Sequence, residues 1–185
     1  MVRRVGVLRG KNIFRQGEPA QVFYRIEHGC VRLQIEHLDG HRQVIAFLFT
    51  GQTFCAGFDT HWASADAMTD TVLSRFPHDS LRALTSQDPS LAESLIFSAD
   101  KLLTELAHHL SRVIHLSAYE RMRWFVDWLA SHPLNNDEIL ELPMSRQDIA
   151  DFLGLAPETV SRLLRRLMAH GVLRPAGTRR YRYAQ

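Results

Sequence analysis

Two short amphipathic helices separated by a glycine turn are predicted between residues 144 and 173, and this pattern constrains the fold more than any other. Ser145 and Asp148 form the S-x-x-D pattern that begins a helix, and Gly154 is typical of a helix end. Pro157 then begins the second helix, at the position where its missing N–H has no helical partner. The apolar residues of both helices follow helical spacing and are expected to be buried: Ile149, Phe152, Leu153, Val160, Leu163, Leu164, Leu167 and Met168. Two helices joined by so short a turn are a helix-turn-helix unit.

The second helix also carries a stripe without apolar residues. The stripe consists of Glu158, Ser161, Arg162 and Arg165, at positions i, i+3, i+4 and i+7. In a helix-turn-helix the second helix enters the major groove, with its first residues at the base edges. The stripe is therefore expected to face double-stranded DNA. A helix pair that binds another protein is the alternative, and it leaves the stripe unexplained.

The C-terminal tail, GVLRPAGTRRYRYAQ, is predicted to form a hairpin, or wing, with Arg179 and Arg180 available to phosphates. From Met144 onward there are eight arginines and three acidic residues, a net charge of +5, so the rest of the chain carries −3 of the total of +2. A basic module on a mildly acidic body favours a nucleic-acid partner at one end of the chain. A solvated basic tail would have the same charge.

The first 77 residues have the pattern of short β-strands. The segments QVFYRI, VRLQIEHL, QVIAFLF and TVLSRF are rich in β-branched and aromatic residues. Glycines from Gly17 to Gly51 separate them at intervals of 12, 11 and 11 residues. Asp39–Gly40 is a signal for a hairpin with a two-residue loop. Regular short strands with such turns predict an all-β sandwich or barrel, such as a jelly roll.

Residues 89–115 have helical periodicity. Apolar residues that alternate in steps of four and three predict a coiled-coil seam between two copies of the chain. The predicted seam consists of Ala92, Ile96, Ala99, Leu103, Leu106, Leu110 and Val113. Leu95 and Leu102 form a second apolar line that could lie on the β-barrel. A monomeric helix buried on two sides is the alternative, and the regular spacing favours the homodimer.

A third helix is predicted within LSAYERMRWFVDWLASHP. Ser117 and Glu120 form a capping box at its start, and Pro133 is expected to end it.

Composition and cysteine content exclude several classes of protein. The 45% of hydrophobic and 23% of charged residues are those of a globular protein. No apolar run approaches the ~18 residues that a membrane span needs, and the N-terminal stretch has no hydrophobic segment of signal-peptide length. Two cysteines cannot form a disulfide framework, so a reducing cytoplasm is expected. No nucleophile–base pair or cluster of metal ligands stands out, which does not favour an enzyme.

The segment MSRQDIADFLGLAPETVSRLLRRLMAHGVL resembles the CRP/FNR superfamily of bacterial transcription regulators, with the FNR and FixK branches nearest. IFRQGEPAQVFYRIEHGCVRL is similar to the opening motif of that family's β-roll, so the resemblance spans nearly the whole chain. It implies an α+β fold in three parts: a cyclic-nucleotide-binding-type β-roll over 1–88, a dimerisation helix over 89–116 and a winged helix-turn-helix over 117–185. It also implies a homodimeric regulator that can recruit RNA polymerase, as activators do.

The pattern E-x-x-S-R in the second helix is similar to the FNR/FixK branch, whose palindrome resembles TTGAT-N4-ATCAA. By position, Glu158 would accept from a cytosine amine, Ser161 would contact a thymine and Arg162 would donate to a guanine. The candidates for contacts with the DNA backbone are Ser145, Arg146, Arg165, Arg179 and Arg180. Ala156 departs from the family, which often has Ser or Thr at this helix cap.

In cAMP-binding relatives a glutamate holds the ribose and an arginine neutralises the cyclic phosphate. The similar stretch here, GQTFCAGFDTHWASADAM, has Cys55–Ala56 and Ala63–Ser64–Ala65 at these two sites. Burying a phosphate without a cationic partner carries a heavy desolvation cost. The resemblance therefore implies no binding of cAMP or cGMP.

Other cofactors of the family lack a clear ligand set. The iron–sulfur cluster of FNR itself needs four cysteines, and Cys30 and Cys55 cannot supply them. Haem occurs in some family members, but no spacing singles out His28, His37 or His61 as its ligand. The resemblance thus implies a FixK-like regulator that binds DNA without a cofactor. A ligand-, haem- or redox-gated sensor on the same scaffold is the alternative, with Cys55 as its candidate redox thiol.

Overall fold

The computed structural model describes residues 2–132 and 139–184. They form two compact units, Met1–His109 and Leu110–Gln185. The division falls within one long helix, so that the last residues of this helix belong to the second unit.

Eight β-strands are described in the first unit. They are β1 (Arg3–Val7), β2 (Asn12–Phe14), β3 (Val22–His28), β4 (Cys30–Glu36), β5 (Arg42–Phe49), β6 (Thr53–Phe54), β7 (Ser64–Ala67) and β8 (Thr71–Pro77). They pair in two antiparallel four-stranded sheets, ordered β1-β8-β3-β6 and β2-β7-β4-β5. The four predicted strands fall on β3, β4, β5 and β8, and the predicted α+β fold class with an N-terminal β-roll is confirmed.

Apolar side chains from both sheets form the core of this β-roll. Alternation along β3 places Tyr24 and Ile26 inside, and Val31 and Leu33 of β4 join them in the core. The cluster of buried residues is Phe14, Tyr24, Ile26, Val31, Leu33, Ala46, Leu48, Phe54, Ala56, Ala63, Ala65 and Leu73.

The turn between β4 and β5 contains Asp39 and Gly40, but its loop has three residues rather than the predicted two. The His37 N–H donates to the His41 carbonyl at 2.8 Å, and the Gly40 N–H donates to the His37 carbonyl at 3.0 Å. Gly40 has a φ of +81°, in the left-handed region. A three-residue loop that ends in a left-handed glycine is a type I turn followed by a bulge.

Two helices follow the strands, α1 (His78–Gln87) and α2 (Pro89–His115). The bounds of α2 agree with the predicted helical segment. The sequence pattern did not separate α1 from the β-roll, since this helix has no buried residue to mark its period.

The apolar residues of α2 divide between two surroundings. Leu102 and Leu106 pack against the core of the β-roll. Ile96, Leu103 and Leu110 are 70%, 67% and 61% exposed. Leu106, which the spacing placed in the predicted seam, thus lies on the chain's own core, while other seam residues remain open.

The second unit combines helices with a small sheet. Besides the end of α2 it contains α3 (Ala118–Ala130), β9 (Ile139–Glu141), α4 (Arg146–Leu153), α5 (Pro157–Ala169), β10 (Leu173–Gly177) and β11 (Arg180–Tyr183). The antiparallel sheet has the order β10-β11-β9, with β10 and β11 forming the predicted wing hairpin. The predicted stop at Pro133 lies outside the described residues.

The three helices α3, α4 and α5 share one apolar core. Its fully buried members include Phe125 and Leu129 of α3, Ile149 of α4, and Val160 and Leu167 of α5. Both predicted capping boxes are present, at Ser117–Glu120 and at Ser145–Asp148. Since these caps supply partners for N–H groups at the helix starts, the sequence itself determines where α3 and α4 begin.

Candidate nucleic-acid interface

The turn between α4 and α5 sets the start of the second helix. Gly154 adopts the left-handed conformation at the end of α4, with φ +62° and ψ +47°, and the Leu155 N–H donates to the Ala150 carbonyl at 3.0 Å. Ala156 is the N-cap of α5 and makes no side-chain hydrogen bond, and Pro157 occupies the first turn. The helix-turn-helix is therefore formed as the sequence predicts.

The polar stripe of α5 lies opposite the buried face of the same helix. Glu158, Arg162 and Arg165 are exposed and Ser161 is half-buried. Behind them Val160, Leu163, Leu164 and Leu167 are buried. The structure thus brings all three predicted base-reading residues onto one accessible surface. Within the helix, Arg162 Nη2 donates to the hydroxyl of Thr159 at 3.5 Å.

Two of the residues predicted to contact the DNA backbone, Ser145 and Arg146, lie at the start of α4. The Ser145 hydroxyl accepts the Asp148 N–H at 3.0 Å and donates to the Asp148 carboxylate at 2.7 Å. Arg146 is half-buried, and its Nη2 donates to the Tyr181 hydroxyl at 3.0 Å. Both side chains therefore also have a structural role in the free protein.

The wing carries the remaining arginines. Arg179 and Arg180 are exposed at the turn of the hairpin, and Arg179 has a φ of +57°. Arg179 Nη1 donates to the Pro143 carbonyl at 3.3 Å, and its own carbonyl accepts the Leu142 N–H at 2.9 Å. The wing tip is thus attached to the segment that leads into α4.

Sequence reasoning missed the group of residues that attaches the wing to α3. The Tyr183 hydroxyl donates to Asp127 Oδ1 at 2.6 Å, and Arg123 Nε donates to the same carboxylate at 2.9 and 3.1 Å. Burial and the Asp127 carboxylate together raise the pKa of Tyr183. The alternation of tyrosine and arginine in RYRY was the available signal, because alternate residues of a strand point to opposite faces.

In the β-roll, the positions that correspond to the nucleotide-binding cassette are occupied by core residues. Ala56, Ala63 and Ala65 are fully buried members of the apolar cluster. Ser64, which lies between Ala63 and Ala65 in the sequence, is also buried, and its hydroxyl accepts the Gln16 N–H at 3.0 Å. These four side chains offer no charge to a phosphate.

The candidate thiols and histidines lie in different environments. Burial raises the pKa of both Cys55 and Cys30, which disfavours the thiolate that redox chemistry requires. His28 and His37 are exposed. His61 is only 4% exposed and stacks on Phe14, with ring centres 3.7 Å apart.

No three His, Cys, Asp or Glu side chains are grouped to hold a metal ion within 2–132 and 139–184. In the same ranges, no helix has the length and apolar character to cross a membrane.

The chain matches two families of known proteins. Residues 142–173 match "Bacterial regulatory proteins, crp family", and residues 4–88 match "Cyclic nucleotide-binding domain". The nitrogen fixation regulation protein FixK of Azorhizobium caulinodans is 36% identical over 179 residues, which are 93% of this chain and 71% of the relative. FixK of Rhizobium meliloti is 33% identical over 167 residues, 89% of this chain and 74% of the relative. This chain belongs to the CRP/FNR family.

Within the CRP/FNR family the chain is FixK-like. The solved structure of FixK2 from Bradyrhizobium japonicum superposes with a TM-score of 0.92 at 30% identity, covering 100% of this chain and 93% of that one. The chain is thus a CRP/FNR-type transcription regulator with a DNA-binding helix-turn-helix, and the relatives it matches are regulators rather than enzymes.

Proposed function

We propose that the protein is a homodimeric, sequence-specific regulator that binds a TTGAT-N4-ATCAA palindrome without a cyclic nucleotide, haem or iron–sulfur cluster. The observation that carries this proposal is the accessible stripe on α5, whose acid, hydroxyl and guanidinium groups lie opposite the buried face of the same helix. An exposed stripe of this kind has no partner in the core and is accessible to one outside the chain.

Each residue of the stripe has a role that its chemistry supports. The carboxylate of Glu158 accepts from the N4 amine of cytosine, and the guanidinium of Arg162 donates to O6 and N7 of guanine. Ser161 contacts a thymine. Arg165 and Arg180, both exposed, bind phosphates, and Ser145, Arg146 and Arg179 do so from the positions that their internal hydrogen bonds fix. These phosphate contacts set the register of the protein on the duplex.

The exposed apolar stripe of α2 supports a dimer. Ile96, Leu103 and Leu110 keep more than half of their surface accessible, and Ala99 is exposed between them. Burying the exposed part of such a leucine favours association by at most roughly 1.5–3 kcal/mol, before the entropic cost of association is subtracted. Leu106 faces the β-roll core instead, so we place it outside the dimer contact. Two copies joined along α2 present two recognition helices to the two half-sites of a palindrome.

The interior of the β-roll supports control without a cyclic nucleotide. The cassette positions hold three buried alanines, a buried serine and the half-buried Cys55, and they provide neither the carboxylate nor the guanidinium that a cyclic nucleotide requires. The protein in this proposal acts in the cytoplasm, recruits RNA polymerase and catalyses no reaction. Its functional parts are the β-roll over 1–88, the dimerisation helix over 89–116 and the DNA-binding part over 117–185.

A mobility-shift titration tests the proposal. A duplex with TTGAT-N4-ATCAA and a scrambled duplex are titrated at the same salt concentration, with and without reductant, because affinities for DNA depend on salt. The expected result is tight binding to the palindrome alone, unchanged by reductant or by cAMP. Equal affinity for the two duplexes would exclude sequence-specific binding, and a response to cAMP would exclude the ligand-free mechanism.

The dimer is tested on the same duplexes by sedimentation and by one charge substitution. Leu103→Glu places a charge in the exposed stripe of α2 and is expected to give a monomer that binds DNA weakly. Leu84→Glu is the matched control, since Leu84 is 38% exposed on α1, outside the stripe. Dimers that persist in Leu103→Glu, or dissociate equally in both variants, would contradict the assigned interface.

A further inference from the structure

We propose that Arg121 is a positioning residue that fixes the helix-turn-helix to the last turn of α2 and so sets the half-site spacing that the dimer accepts. This assignment rests on the proposed dimer and its palindrome. All the residues that carry it lie in the second unit, which includes α2 from Leu110 onward.

The guanidinium of Arg121 bonds to the ends of two different helices. Its Nε donates to the carbonyl of Leu116, directly after α2, at 3.0 Å. Its Nη1 donates to the carbonyls of Leu153 and Gly154, at the end of α4, at 2.8 and 3.3 Å. The carbonyls at a helix end have no partner inside the helix and carry partial negative charge. One cation therefore binds carbonyl groups at the ends of both α2 and α4.

An arginine suits this position better than a lysine. Its planar fork directs Nε and Nη1 toward separate acceptors at the same time, whereas an ammonium group is a single point on a flexible stem. The acceptors here belong to Leu116 and Leu153, which are 37 residues apart in the chain. Charge alone would not hold the two helix ends at a fixed separation.

Two further contacts join the last turn of α2 to the same region. A Cβ placed on Gly154 would lie 3.4 Å from Val113 Cγ1 and 3.5 Å from Arg121 Nη1, so the turn of the helix-turn-helix passes close to α2. The Arg112 guanidinium lies 4.4 Å from the ring centre of Trp124 on α3. Trp124 in turn stacks on Trp128 and Phe152. The end of the proposed dimer helix thus contacts α3 and lies close to the turn that precedes α5.

This arrangement has a consequence for DNA recognition. In a dimer joined along α2, the orientation of α5 relative to the end of α2 determines how far apart the two recognition helices lie. Half-site spacing follows from that distance. Weakening the hydrogen bonds of Arg121 should therefore reduce the preference for one half-site spacing, while each α5 can still bind its own half-site.

The experiment compares Arg121→Lys with Arg82→Lys, two substitutions that keep the charge, the second at an exposed position on α1 outside the DNA-binding unit. Affinity is measured for palindromes with spacers of three, four and five base pairs and for a duplex with one half-site. Wild type and Arg82→Lys are expected to prefer the four-base-pair spacer. Arg121→Lys is expected to lose about tenfold of that preference, the scale of one lost hydrogen bond to a charged group, with the single half-site unchanged.

Arg112→Gln provides a second variant in case Arg121→Lys does not fold. It removes the contact of the Arg112 guanidinium with the Trp124 ring and leaves the residues of the predicted seam unchanged, and it is expected to weaken the spacing preference by a smaller factor. Variants that lower affinity for every duplex alike, or that keep the wild-type preference, would overturn the role of Arg121. A wild type without any preference for a palindrome would instead refute the proposed function, so the two failures are distinguishable.

Discussion

The β-roll and the winged helix-turn-helix differ in where their expected binding residues lie. In the β-roll, the positions similar to a nucleotide-binding cassette hold Ala56, Ala63 and Ala65, all fully buried in the core. In the helix-turn-helix, Glu158 and Arg162 are exposed on a helix whose opposite face is buried.

This difference separates packing from recognition within one chain. Packing in the core explains why an alanine with no exposed surface occupies its position, so such an alanine gives no reason to expect a ligand. Exposed acid and guanidinium groups on one face of a helix gain nothing from the core behind them. In the proposed function, the first unit is therefore a packed body and recognition lies in the second.

The largest expected effect comes from restoring a charge to the β-roll. Ala63→Arg puts a guanidinium at a fully buried position within the apolar cluster. An uncompensated buried charge costs about 3–5 kcal/mol, so the free energy of unfolding should fall by that amount. Urea unfolding followed by circular dichroism measures the change.

Ala83→Arg is the control for this substitution. Ala83 is exposed on α1 of the same unit, so the same side chain there should change stability little. A stable Ala63→Arg protein that binds cAMP would show that the cassette retains room for its ligand. The β-roll could then not be contrasted with the helix-turn-helix as a unit without a binding site.

The next effect concerns specificity rather than stability. Arg162→Ala should lose ~1–3 kcal/mol of discrimination in favour of the half-site guanine, because one bidentate base contact is removed. Its unfolding free energy should be unchanged, since Arg162 is exposed. Competition binding between TTGAT and TTAAT half-sites gives the discrimination directly.

Arg179→Ala serves as the matched arginine variant on the wing. It should weaken binding to both half-site sequences alike and lower the salt dependence of binding, as expected for a phosphate contact. Equal loss of discrimination in the two variants would mean that α5 does not read the bases alone.

The helices were predicted more fully than the β-roll because their signals are local. The capping boxes at Ser117 and Ser145 and the left-handed Gly154 act within one helical turn, and the structure confirms each of them. Strands such as β1 and β6 escaped prediction because they are short and are defined by pairing with β8 and β3, which are distant in the chain.

The candidate site was predictable only in part, for a related reason. The stripe on α5 follows from helical spacing, so its exposure could be inferred from the sequence. The contact of Tyr183 with Asp127 spans 56 residues, and that of Arg121 with Leu153 spans 32. On α2, Leu103 and Leu106 belong to the same series of apolar residues with steps of four and three. The spacing therefore could not show that Leu106 packs on the β-roll core while the side chain of Leu103 is exposed.

A smaller effect is expected from the pH dependence of the β-roll. Burial lowers the pKa of His61 below its ordinary value of 6.5, with the nearby His78 acting in the same direction. Protons then bind the unfolded chain more readily, so His61 contributes stability above pH 6.5 that is lost as the pH falls below it. The slope from one such group is at most about 1.4 kcal/mol per pH unit.

His61→Phe tests this dependence, because phenylalanine keeps a ring against Phe14 and does not titrate. Urea unfolding at pH 7.5 and 5.5 should show a smaller loss in the variant than in wild type. His37→Phe, an exposed position in the same unit, should retain the wild-type loss. An identical loss in His61→Phe would mean that the ring is already accessible to protons in the fold.

The smallest expected change is a gain in the DNA-binding unit. Ala156 has the extended backbone of an N-cap, with φ −78° and ψ +146°, but no side chain that accepts the free N–H groups of α5. Ala156→Ser should therefore add about 1 kcal/mol to the unfolding free energy of the second unit. Ala169→Ser, at the other end of α5, lacks this geometry and is expected to give no gain. If both substitutions stabilised the unit equally, the helix propensity of serine rather than N-capping would be the cause. The start of α5, two residues before the exposed stripe, would then not lack a stabilising cap.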